Sequence, residues 1–72
     1  MIRYLAFKEK IHSDNLGCYI SFGIKVVNDN NDVLSSISDI SLNEDVVKDI
    51  CRKCTAEELD PIHLIDVIMD NI

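Results

Sequence analysis

Residues 18 to 26 read C-Y-I-S-F-G-I-K-V and alternate without a break. Cys18, Ile20, Phe22, Ile24 and Val26 fall on one side of an extended chain. Tyr19, Ser21, Gly23 and Lys25 fall on the other. A period of two is the signature of a half-buried β-strand, and the β-branched and aromatic content suits a pleated surface. Gly23 contributes no side chain to that surface. Inside a strand it marks a bulge or the close approach of another backbone.

Outward from this segment, the chain on either side has the same grammar. Ser13-Asp14-Asn15-Leu16-Gly17 is a turn, because Asp, Asn and Gly tolerate left-handed backbone conformations. Before it, Arg3 to Ile11 alternates again, with Leu5, Phe7 and Ile11 on one parity and Tyr4, Lys8 and Lys10 on the other. The expectation is that Leu5 and Phe7 face the core and that Tyr4, Lys8 and Lys10 face outward. The two strands make a hairpin with a loop of about five residues. After the central strand, Asn28-Asp29-Asn30-Asn31-Asp32 forms the next turn. Val33 to Ile40 is a third strand, with Val33 and Ile37 inward, and its many serines make it an edge.

The period then changes. Ser41 followed by Glu44 three residues later matches a capping box. Val46, Val47, Ile50, Cys51 and Cys54 follow at helical spacing. Glu44 and Asp45 at the start, with Arg52 and Lys53 at the end, complement the helix dipole. Thr55 to Leu59 is a short connection or a frayed extension of the helix. Asp60-Pro61 opens a second helix, with Asp as cap and Pro in the first turn. Its apolar stripe is Leu64, Ile65, Ile68, Met69 and Ile72, with His63, Asp66 and Asp70 opposite.

These elements predict an α+β fold: a three-stranded antiparallel meander followed by two short helices packed on one face, in the order β-β-β-α-α. The sheet's apolar face comprises Leu5, Phe7, Ile20, Phe22, Ile24 and Ile37, and the helices cover it. Residues 1–72 form one small domain. A chain of this size buries only about 60% of the surface its unfolded form exposes, so it leans on a disulfide, a metal or a partner subunit. A hydrophobic fraction of 47% is enough for a core.

Net charge is −6, and it is unevenly spread. Residues 1–40 carry four basic and five acidic side chains, residues 41–72 three basic and eight acidic. Phosphate binding needs clustered Lys and Arg, so direct nucleic-acid binding is not expected. Met1 to Lys10 lacks the apolar core of a signal peptide, and no apolar run reaches the ~20 residues of a membrane span. Three cysteines make no disulfide framework. The expectation is a cytoplasmic protein with reduced thiols and no cofactor.

Several constellations bear on chemistry. Cys51 and Cys54 have the spacing of a zinc or redox pair, but zinc needs two more ligands and only Cys18, His12 and His63 are on offer. Both thiols also lie on the apolar stripe, where Cys packs as a small hydrophobe. His63, Asp66 and Asp70 share a helix face and could bind a metal or act as acid and base, yet no nucleophile accompanies them. Asn28, Asn30 and Asp32 alternate like the start of a calcium loop, but the sixth position is Val33 rather than Gly, so a hairpin turn is expected. Tyr4 and Tyr19, with Lys8, Lys10 and Lys25, are expected to form a mildly basic aromatic outer face.

Three motifs carry a resemblance. Ile37 to Ser41 reads I-S-D-I-S, Pro61 to Val67 reads P-I-H-L-I-D-V, and Tyr19 to Val26 reads Y-I-S-F-G-I-K-V. Together they resemble an uncharacterised family of small bacterial proteins with a C-terminal P-I-H-L-x-D-V helix. The resemblance implies a shared fold around Gly23, Pro61, His63 and Asp66 and carries no activity.

No nucleophile–base pair and no phosphate loop is visible, so an enzyme is not expected. The leading expectation is a non-enzymatic protein-interaction or regulatory module, homodimeric in one form, working through Tyr4, Tyr19, Lys8, Lys25, His63 and Asp66. Two rivals stand beside it. One is a small acidic inhibitor of a nucleic-acid-handling enzyme. The other is a thiol or zinc protein using Cys51 and Cys54 with His63.

Overall fold

A computed structural model describes residues 1–72. The order is β1 (Arg3–Ser13), β2 (Gly17–Val27), β3 (Val33–Ser41), α1 (Glu44–Ala56), a 3-10 turn (Pro61–His63) and α2 (Leu64–Asp70). The strands form one antiparallel sheet in the order β1-β2-β3. The helices pack on one face, as the α+β reading requires.

The β1–β2 turn decides which residues share a face. Three residues, Asp14 to Leu16, separate Ser13 from Gly17, and the strands pair Ser13 with Gly17. Gly17 takes the left-handed conformation, φ 75°, as a three-residue hairpin loop needs. Ser13 Oγ accepts hydrogen bonds from the Asn15 and Leu16 amides, both at 3.3 Å. An odd loop pairs residues of equal parity, so Tyr4 lies opposite Val26, and Ala6 opposite Ile24. The core face of β1 is therefore Tyr4 and Ala6, not Leu5 and Phe7 as the alternation alone suggested.

Tyr4 is only 3% exposed and belongs to the core with Ile24, Val26, Val47, Ile50, Cys51, Cys54, Leu64 and Ile68. Its hydroxyl donates to the Leu59 carbonyl, and its amide donates to Thr55 Oγ1 at 3.0 Å. Those two bonds tie the free edge of β1 to the end of α1. Tyr4 is thus a core residue and not part of an outer aromatic surface.

Gly23 is both things its position suggested. On β3, Ser38, Asp39 and Ile40 bulge out opposite it, between the pairs Ile24–Ile37 and Phe22–Ser41. A Cβ on Gly23 would collide with the Ile37 carbonyl and sit 2.6 Å from Phe7 Cζ. Phe7, paired with Gly23, lies across it on the face without helices and fills the space a side chain would have taken.

The cap of α1 is Asn43, whose side chain accepts from the Asp45 amide at 3.0 Å. Ser41, the expected cap, is held in β3 opposite Phe22, and its hydroxyl accepts from the Asn43 amide at 3.0 Å. Helix α1 buries Val47, Ile50, Cys51 and Cys54, the stripe read from its spacing. It ends in a Schellman arrangement: the Leu59 amide donates to Cys54 O at 3.0 Å and the Glu58 amide to Thr55 O at 3.2 Å, with Glu58 at φ 51°. Asp60 then caps the 3-10 turn through Oδ1, 3.1 Å from the Ile62 amide.

Two further expectations change. Val33 is 59% exposed, so the residues of β3 that pack against the core are Ile37 and, past the bulge, Ile40. On α2 only Leu64 and Ile68 are buried, while Ile65 and Met69, and Ile72 beyond the helix end, are 60%, 71% and 68% exposed. The stripe is wider than the contact available to it, since α2 meets the core along one flank.

Candidate functional site

An 11-residue strand spans about 36 Å, whereas the 13 residues of α1 span about 20 Å. The β1–β2 hairpin therefore outruns the helices, and the opposite face of the sheet has no helix at all. The chemistry-bearing side chains collect on that open face, where β3 bulges.

Glu9, on the open face of β1, sits opposite Ser21. Its carboxylate accepts from Ser38 Oγ, 2.7 Å from each oxygen, and from the Asp39 amide at 2.8 Å. Asp39 is turned outward by a left-handed backbone, φ 53°. Its own carboxylate accepts from Ser21 Oγ at 2.7 Å and from the Tyr19 hydroxyl at 2.8 Å. Ser21 is fully buried although no helix covers it, and its hydroxyl also lies 3.2 Å from the Ser41 carbonyl.

The array has an electrostatic consequence. The hydrogen bonds from Ser21 and then Tyr19 hold the Asp39 carboxyl below its ordinary value, because they favour its charged form. The same bond, with some burial, raises the Tyr19 hydroxyl. Asp39 therefore stays ionised and Tyr19 stays protonated near neutral pH. The molecule has three ion pairs, formed by the N-terminus with Asp29, Lys48 with Glu44 and Arg52 with Asp49. Neither Glu9 nor Asp39 takes part, so these two carboxylates have no ion-pair partner.

Beside them runs a groove of about 400 Å³, lined by Leu16, Tyr19, Asp39, Ile40, Ser41 and Leu42. Leu16 and Leu42 are 76% and 68% exposed at its rim. The walls are apolar and Asp39 is the charged group among them.

The structure separates the residues singled out from sequence. Tyr19 lies in the array and Lys25 is half-buried on the same face, opposite Leu5 and Ser36. Lys8 pairs with Phe22 and Lys10 with Ile20. Both lysines therefore belong to the other face and are exposed there, with Tyr4 buried further along. The expected basic aromatic surface is thus divided between two faces. His63 and Asp66 are exposed on the helical layer, and His63 makes no capping hydrogen bond.

Cys51 and Cys54 lie in the core. Burial, then the neighbouring Cys54, pushes the Cys51 thiol up to about 11; burial, then Glu57, raises Cys54. Cys18 is exposed on the hairpin, its Sγ 3.1 Å from His12 Nδ1. No three His, Cys, Asp or Glu side chains converge as a metal-binding group. The Asn28–Asp32 loop is a hairpin turn, with Asn28 Oδ1 accepting from the Asn30 and Asp32 amides at 2.9 and 3.0 Å. No helix is long and apolar enough to cross a membrane.

Glu9, Ser21, Ser38 and Asp39 were not singled out from the sequence. A signal was available in Ser38-Asp39: Asp is depleted in strands, and its presence opposite Gly23 marks the bulge. Glu9 carried no such mark, because only the register brings it to the bulge.

Comparison with known proteins adds one match. The family model of DUF6514, a family of unknown function, matches residues 1–72. No curated protein and no solved structure matches the chain.

Proposed function

The chain belongs to DUF6514, a family with no activity to transfer, and from that premise we propose that it is a non-enzymatic protein-interaction module that receives a basic side chain of a partner polypeptide in the groove beside Asp39. One observation carries this reading. On the face the helices leave open, Asp39 and Glu9 are held in place by Ser21, Tyr19, Ser38 and a backbone amide, with no cation of their own, next to an apolar groove. Pre-oriented groups bind more tightly because less ordering remains to be done on association. An arginine would lay its methylene stem on Leu16, Ile40 and Leu42 and bring its guanidinium to the carboxylates, with the Tyr19 ring alongside.

The test is an amide-resolved NMR titration with two capped tripeptides, Leu-Arg-Leu and Leu-Gln-Leu. The arginine peptide should give saturable shifts at Leu16, Tyr19 and Ser38 to Leu42, and Asp39→Asn should weaken them several-fold. Equal responses to the two peptides, or shifts that fall elsewhere, would refute the reading.

A second reading draws on the helical layer. All eight acidic residues from Glu44 to Asp70 are exposed, and only Glu44 and Asp49 are paired. Such a surface suits an acidic inhibitor that imitates nucleic-acid phosphates. Reversing Asp49, Glu57, Glu58 and Asp66 to lysine should abolish its binding to a basic groove, and unchanged affinity would dismiss it.

A further inference from the structure

We propose that the partner polypeptide binds as an added β-strand, in the strand position beside β2 that β3 leaves vacant. This binding mode rests on the groove reading above and adds to it the partner's conformation and sequence pattern. Gly17, Cys18, Tyr19, Ile20 and Ser21 pair with β1. None of them pairs with β3, whose last partner on β2 is Phe22, opposite Ser41. After Ser41 the chain leaves the sheet, and Asn43 caps α1. No backbone hydrogen bond from a turn or loop reaches residues 17–21 either. Ser21 is buried, with its hydroxyl 3.2 Å from the Ser41 carbonyl, and closes the inner end of the gap. Gly17 to Ile20 are thus an open stretch of strand edge about 14 Å long.

A strand edge presents N–H and C=O groups in series, and another chain can pair with them. An extended polypeptide satisfies such a series, which decides the chemical class of the occupant. The walls of the gap agree. Leu16 stands at the hairpin tip, Ile40, Ser41 and Leu42 follow the exit of β3, and the groove of about 400 Å³ lies among them. The outer edge of β3 is open as well, but its bulge between Ile37 and Ser41 disrupts regular pairing. The one groove of the molecule lies beside β2 instead.

Charge and side-chain alternation narrow the occupant further. Side chains of an added strand point alternately to the two faces of the sheet. On the open face they meet Tyr19 and the Asp39 carboxylate, which has no ion-pair partner. On the opposite face they meet Ile20, which is 44% exposed. The partner segment therefore reads apolar-basic-apolar, with its basic residue on the side of Asp39. A second copy matches this site poorly. Twofold pairing would bring G-C-Y-I-S of the mate into the gap, and that stretch has no basic residue for Asp39.

A capped pentapeptide, Thr-Leu-Arg-Leu-Thr, tests the added strand by NMR titration and amide hydrogen exchange. In a paired strand, successive backbone amides point alternately toward the neighbouring strand and away from it. Two versions are therefore compared, one N-methylated at both leucines and one at the arginine and the last threonine. One version should lose at least about fivefold in affinity, and the other should bind as the parent does. Bound parent peptide should slow amide exchange within residues 17–20 and leave Val33 to Ile37 unchanged. If both methylated versions bind as the parent does, the added strand is overturned while the arginine contact stands. If Thr-Leu-Gln-Leu-Thr binds as tightly as the arginine peptide, with the methylation difference retained, the added strand is supported and the arginine contact falls. Protection along Val33 to Ile37 overturns the proposal. So does protection of residues 17–20 that rises with protein concentration alone, which assigns the gap to a second copy.

Discussion

Replacing Tyr4 and, separately, Leu5 with alanine tests the arrangement on which every other placement depends. The two residues are neighbours on β1 and lie on opposite faces. Tyr4 is 3% exposed, inside the core, with its hydroxyl on the Leu59 carbonyl. Truncating a buried aromatic to alanine costs about 3–5 kcal/mol. Leu5 is 36% exposed on the face without helices, so its truncation should cost about 1 kcal/mol. A chain of 72 residues has a total stability of about 4–11 kcal/mol. Tyr4→Ala should therefore remove about half of it and Leu5→Ala a small part. Tyr4→Phe separates the components: it keeps the ring and removes the hydroxyl, at about 1 kcal/mol. Urea denaturation followed by circular dichroism gives all three values by linear extrapolation. If Leu5→Ala proved as costly as Tyr4→Ala, Leu5 would be the core residue, and the hairpin register described here would be wrong by one residue.

Four further outcomes follow from named features. Cys51 has its pKa raised from 9.0 to about 11 by burial and then by Cys54, and Cys54 and Tyr4 shift in the same direction. The folded state keeps protons that the unfolded state releases, so their stabilisation is complete below the unfolded thiol value and is lost as pH rises toward 11; the melting temperature should fall across that window, less steeply in Cys51→Val, and a flat profile would count against the burial. A thiol reagent near neutral pH should modify exposed Cys18 quickly and Cys51 and Cys54 only on unfolding, whereas three fast thiols would contradict the core. Glu58 takes φ 51° at the end of α1, a conformation that costs a residue with a Cβ about 1 kcal/mol, so Glu58→Gly should raise stability by about that amount in thermal melts. Gly23→Ala should cost about 3 kcal/mol, because the new methyl must displace Phe7 or the Ile37 carbonyl; a neutral substitution would show that the β3 bulge does not approach β2 as described.

The sequence alone determined the elements and their order. Unbroken alternation from Cys18 to Val26 specifies a strand, because a period of two has no other regular backbone solution. The stripe from Val46 to Cys54 specifies α1 and places Cys51 and Cys54 in the core, because helical spacing puts them on the side of Val47 and Ile50. Gly23 announced a close backbone approach before any partner was known. These signals are local, and local spacing is enough to read them.

Tertiary structure decided which face of β1 meets the core and where the candidate site lies. Alternation shows that Tyr4 and Leu5 differ, but the three-residue turn and its pairing of Ser13 with Gly17 select Tyr4. The same register separates Lys8 from Tyr19 and brings Glu9 to Ser38 and Asp39, 29 and 30 residues away. Helix packing left Ile65, Met69 and Ile72 uncovered, since the width of an apolar stripe shows what a helix could bury and only packing shows what it does bury. Periodicity assigns side chains to faces within one element, and the energy that joins the faces of different elements is contributed by contacts distant in sequence.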